Sequence, residues 1–85
     1  MRDGQVESQL REIFSTVLNL PAAEVIPALT PDTCSSWDSL HHIHLVSAID
    51  EVFSIKLTIE QQMEIMSFDL AVDVVSEALS APKPA

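Results

Sequence analysis

Apolar residues recur along this chain at helical intervals. Val6, Leu10, Ile13, Phe14, Val17 and Leu18 follow the three- and four-residue steps of one helix face, which predicts a first helix. Asp3 stands where a cap would open it, and Asn19 followed by Pro21 where it would stop. Arg2, Glu7, Arg11 and Glu12 fall mostly on the other face and read as solvated charge. From Leu20 to Trp37 the periodicity fails. Pro21, Pro27 and Pro31 with interspersed Ser and Thr resist a continuous helix, so a long loop with one short turn near Pro21–Glu24 is expected. A connection of that length in a compact domain is either functional or pinned down, and Val25, Ile26 and Leu29 are the expected pins.

A second helix is predicted from Ser39 to about Phe53. At about 100° per residue, Leu45, Val46, Ile49, Val52 and Phe53 gather on one side, the expected core. Leu40, Ile43, His44, Ser47, Asp50 and Glu51 gather on the other. His42 projects towards the apolar side as a semi-buried structural histidine. Ser54–Leu57 interrupts the pattern, with Ile55 and Leu57 as anchors. Thr58 and Gln61 then have the spacing of a capping box for a short helix to about Glu64. Ser67, with Asp69 in the first turn, opens a last helix marked by Leu70, Ala71, Val72, Val75, Ala78 and Leu79. Residues 81–85 read as a flexible tail. The expectation is an all-α chain of three longer helices and one short third one, with a long first loop. It forms a single domain over residues 1–85, ordered over about 4–80.

Composition narrows the function classes. Eighty-five residues bury roughly 60% of the surface an unfolded chain exposes. That leaves little room for a deep cleft between layers and argues against an enzyme active site. Thirteen acidic against four basic residues give a formal net charge of -9, which disfavours nucleic acid and anionic membrane surfaces and predicts basic partners. The single cysteine, Cys34, has no internal disulfide partner and reads as a bystander thiol. No long apolar run suggests a leader or a membrane span, so a cytoplasmic protein is expected.

Candidate chemistry concentrates at Trp37-Asp38-Ser39-Leu40. Asp38 is a good N-cap, its carboxylate able to accept from the backbone N–H of Leu40 or His41, which puts Ser39 at the first helical position. There its hydroxyl lies beside unpaired backbone N–H groups and the positive end of the helix dipole, a favourable place for a phosphate ester. Leu40 and Ile43, outward-facing and followed by acids, suggest a docking surface. His41 and His44 lie three apart, but two ligands without a third convergent group make a poor metal site, so none is expected. A Ser39–His42 hydrolytic pair lacks an orienting third residue and an oxyanion site.

From Val6 to Leu79 the chain resembles the acyl carrier proteins. The family's Asp-Ser-Leu at the start of the second of four helices is matched by Asp38-Ser39-Leu40. The match continues through Ile43, Leu45, Val46, Ile49, Asp50, Glu51 and Phe53, then Leu57 and the short helix ending near Ile65. The resemblance implies a four-helix carrier fold with 4′-phosphopantetheine esterified to Ser39 and acyl groups carried as thioesters on its thiol. It implies a non-catalytic monomer served by a phosphopantetheinyl transferase and by acyl-loading and acyl-transferring enzymes with basic docking surfaces. The partner surface it implies comprises Leu40, His41, Ile43, His44 and Ser47, then Asp50, Glu51 and Ile65.

This chain departs from the family pattern in three places. Ser36-Trp37 replaces the usual glycine context before the Asp, with Trp37 a candidate loop anchor. His41 and His44 stand where acids are common in fatty-acid carriers. Ser47 stands where a larger apolar contact residue is common. Ser47 would weaken a standard docking surface, while Trp37 and the histidine-rich second helix favour a free-standing carrier of polyketide or other specialised biosynthesis over a fatty-acid carrier. The Asp before Ser39 disfavours a peptidyl carrier. The reading from another class is a small acidic helical adaptor in which Ser39 is only part of a cap.

Overall fold

A computed structural model describes residues 4–80. Helix α1 spans Gly4–Leu18, α2 Ser39–Phe53, α3 Ile59–Glu64 and α4 Phe68–Ser80; one 3₁₀ turn, Ala22–Glu24, lies between α1 and α2. No strand occurs among the described residues. The all-α architecture with a short third helix and a long first loop is therefore the one the apolar spacing predicts. The expected Asp3 cap and the 81–85 tail lie outside the described residues.

Most of the helix boundaries within the described residues have a local cause. Asn19 takes the left-handed conformation (φ 56°) after α1, and Leu20 N–H donates back to the Ser15 carbonyl at 3.0 Å. The Ser15 hydroxyl donates in turn to the Leu20 carbonyl. Ser54 ends α2 in the same way, at φ 54°. The Asp50 carboxylate then accepts Leu57 N–H at 3.0 Å, folding the α2–α3 connection back onto α2. Thr58 and Gln61 form the expected capping box. Ser67 Oγ accepts Leu70 N–H at 3.0 Å at the start of α4.

The buried apolar residues form one cluster that joins α1, the long loop, α2 and α4. At its centre Phe14 meets Trp37 and Phe68 edge-to-face, with centroids 5.2 and 5.1 Å apart, the arrangement aromatic rings favour. Val25, Leu29, Cys34 and Trp37 pin the long loop into this cluster. Backbone bonds reinforce them, since Phe68 N–H donates to Leu29 O at 2.9 Å and Asp69 N–H to Pro27 O at 3.2 Å. Arg11, expected only to solvate α1, donates to Val25 O at 3.2 Å and lies 5.5 Å from the centre of the Phe68 ring.

Two apolar expectations need correcting. Ile26 is exposed and pins nothing, because Val25 and Leu29 on either side already face inward. Val52 shares the angular position of Leu45 yet is exposed, in a groove between α1 and α2 that no third element among the described residues lines. The last helix runs through the apolar residues that marked it, with Leu70 and Leu79 exposed and Phe68, Ala71, Val72, Val74 and Val75 forming its buried face.

Candidate functional site

The start of α2 has the predicted geometry. Asp38 is extended (φ -102°, ψ -173°), and its Oδ1 accepts His41 N–H at 2.9 Å. His41 Nδ1 lies 2.8 Å from the same oxygen and donates to it. The His41 backbone N–H first, and its ring second, hold the Asp38 carboxyl below its ordinary value. Ser39 is the first helical residue and is exposed. Its Oγ is thus presented at the positive end of a helix whose leading N–H groups lack helical partners.

Ser39 also borders a groove of about 500 Å³ lined by Pro31, Trp37, Asp38, His42, Ile43, Met63, Ile65 and Met66. A groove of this size was not expected of so short a chain. It arises without a cleft between layers, because the end of the loop, the first turns of α2 and the short α3 do not close over one another.

His42 joins these three segments. Trp37 Nε1–H donates to His42 Nδ1 at 3.1 Å, and His42 Nε2 lies 3.0 Å from the Gln62 carbonyl. The indole N–H can only donate, so Nδ1 carries the lone pair and Nε2 the proton, which is given to Gln62 O. Both ring nitrogens are committed, which leaves His42 no free lone pair for Ser39. Trp37 is the loop anchor its position suggested, and His42 is half-buried, as expected.

The outward apolar pair is where the helix geometry put it, with Leu40 59% and Ile43 61% exposed. His44, Ser47 and Glu51 are exposed on the same helix, and the His41 and His44 rings stand 6.0 Å apart. Two expected interface residues are placed differently. Ile65 is only 2% exposed and belongs to the core, because the chain turns inward after α3. Asp50 is partly buried and turned to the chain itself through Leu57 N–H.

The exposed apolar surface here comes instead from Ile59 and Met63 on α3 and from Met66 just beyond its end. The sequence reading missed these residues, although the four-residue spacing of Ile59 and Met63 marks one stripe on a helix too short to bury every face. Between Asp38 and Met66, five acids stand against a single cation, Lys56. Among the described residues no group of three His, Cys, Asp or Glu side chains converges as a metal site requires. No helix there is long and apolar enough to cross a membrane.

No known family model matches the chain. The functional reading therefore rests on the residues at the start of α2 and their surroundings.

Proposed function

We propose that this chain is an acyl carrier protein whose 4′-phosphopantetheine is attached at Ser39. The observation that carries the reading is the exposed Ser39 hydroxyl at the Asp38-capped start of α2, on the edge of an apolar groove. Ser39 supplies the oxygen that attacks the pantetheine-side phosphorus of the coenzyme A pyrophosphate. The bond from that phosphorus to the bridging oxygen breaks, adenosine 3′,5′-bisphosphate leaves, and the serine proton passes to a base on the transferase. The backbone N–H groups at the head of α2 favour the new phosphodiester charge. Once bound, the group supplies a thiol that holds acyl chains as thioesters.

Leu40, Ile43, Met63 and Met66 offer partners an apolar contact, and the surrounding acids select for basic surfaces and fast transient encounter. Trp37, His41 and His44 favour polyketide or other specialised biosynthesis over fatty-acid synthesis, with a cytoplasmic monomer as the working form.

Intact-mass spectrometry after incubation with coenzyme A and a broad-specificity phosphopantetheinyl transferase tests the reading. Gain of one phosphopantetheine unit by the wild type, and none by Ser39→Ala, is the expected result. No gain by the wild type, under conditions that load a reference carrier, favours the acidic adaptor.

A further inference from the structure

We propose that His42 determines what the groove beside Ser39 accepts, acting as a positioning residue through Trp37 and α3. The indole has one polar atom, and a buried indole N–H needs an acceptor. His42 supplies it at 3.1 Å and spends its own proton on Gln62 O at 3.0 Å. Gln62 lies in the last turn of α3, where carbonyls lack helical partners, and its oxygen also accepts Ile65 N–H at 3.4 Å. The Trp37 and His42 planes are 15° apart, an arrangement that accommodates the hydrogen bond between the two rings. One neutral imidazole thus fastens the loop end and the end of α3 to the first turns of α2.

The consequence is chemical as well as mechanical. The polar side-chain atoms of Trp37 and His42 are paired with protein partners, and the apolar lining of the groove is Trp37 with Pro31, Ile43, Met63, Ile65 and Met66. The remaining polar lining, Asp38 and Ser39, belongs to the start of α2. An apolar chain can enter without stranding a donor, whereas a polar or charged cargo would lose water and gain no partner. The volume of about 500 Å³ is within the range of small-molecule sites. The occupant is an apolar chain carried on Ser39, which itself lines the groove; in that respect the inference rests on the carrier reading. Without His42, the Trp37 N–H would lack an acceptor and the end of α3 would lose its tie.

The test uses unloaded protein and the neutral apolar fluorophore N-phenyl-1-naphthylamine, so its outcome is independent of whether Ser39 can be loaded. Nitrogen-15 NMR of the wild type should show an unprotonated Nδ1 and a protonated Nε2 on His42. The chain's single indole N–H should exchange slowly. His42→Gln, which keeps an acceptor and a donor, should bind the probe nearly as the wild type does. His42→Phe and Trp37→Phe should each weaken it by up to about tenfold, the scale of one lost hydrogen bond. The double variant should be no worse than either. A proton on Nδ1, no probe binding by the wild type, or equal binding by wild type and Trp37→Phe would overturn the proposal. If His42→Phe does not fold, the tautomer, His42→Gln and Trp37→Phe still decide it.

Discussion

Helices α2 and α4 both begin on a side-chain cap, yet their first turns are used in opposite ways. At α4, Ser67 Oγ takes Leu70 N–H, and the carbonyls of Leu29 and Pro27 take the N–H groups of Phe68 and Asp69. The first helical residue, Phe68, is buried against Phe14. At α2, Asp38 takes His41 N–H, and the first helical residue, Ser39, is exposed. A helix start is a chemical resource only where its donors and its first side chain stay accessible. The long loop closes one start and leaves the other open.

The sharpest way to break this comparison is to truncate the first residue of each helix. Phe68→Ala should cost about 3–5 kcal/mol and bring the chain close to unfolding, whereas Ser39→Ala should stay within about 0.5 kcal/mol of wild type. Chemical denaturation measures both. Comparable losses would mean that Ser39 is structural.

A similar contrast holds across α2. Leu45→Ala and Ile49→Ala, both at fully buried positions, should each cost about 2–5 kcal/mol, while Leu40→Ala and Ile43→Ala should cost under about 1 kcal/mol. The outward pair should instead slow transfer to and from partner enzymes. Equal shifts in melting temperature would show that the helix faces have been assigned the wrong way round.

Smaller effects sharpen the account of the caps. Ser67→Ala should cost about 1 kcal/mol through the lost bond to Leu70 N–H. Ser54→Gly should gain about 0.5–1 kcal/mol, because glycine holds the left-handed φ of 54° without steric cost. At Asp38 the effect depends on pH. Its carboxyl is held below the ordinary value of 3.8 in the folded chain, so its contribution is fully present above that value and is lost as pH falls through the lower folded one. The stability difference between wild type and Asp38→Asn, followed by thermal melting, should therefore be constant near neutrality and shift against the wild type only in strong acid.

Helix order, the Asp38 cap, the Thr58–Gln61 box and the outward positions of Leu40 and Ile43 were legible because each depends on residues within a turn or two of one another. What was not legible depends on distant pairings. Nothing near Gln62 announces that its carbonyl accepts a hydrogen bond from His42, twenty residues earlier. The carbonyls of Pro27 and Leu29 that close α4 are backbone groups, which any residue type would supply. Ile65 and Met66 are similar letters with opposite fates, decided by how the chain turns after α3. Asp50 reads as surface charge until the Leu57 N–H comes back to meet it.

The open start of α2 is tested most directly by locating the modification itself. The chain is incubated with coenzyme A and transferase, digested, and each serine-containing peptide is examined by tandem mass spectrometry. The account predicts phosphopantetheine on Ser39 alone, with Ser67 at the closed start of α4 unmodified. An increment on any other serine, or none on Ser39 while a reference carrier is loaded in parallel, would contradict it.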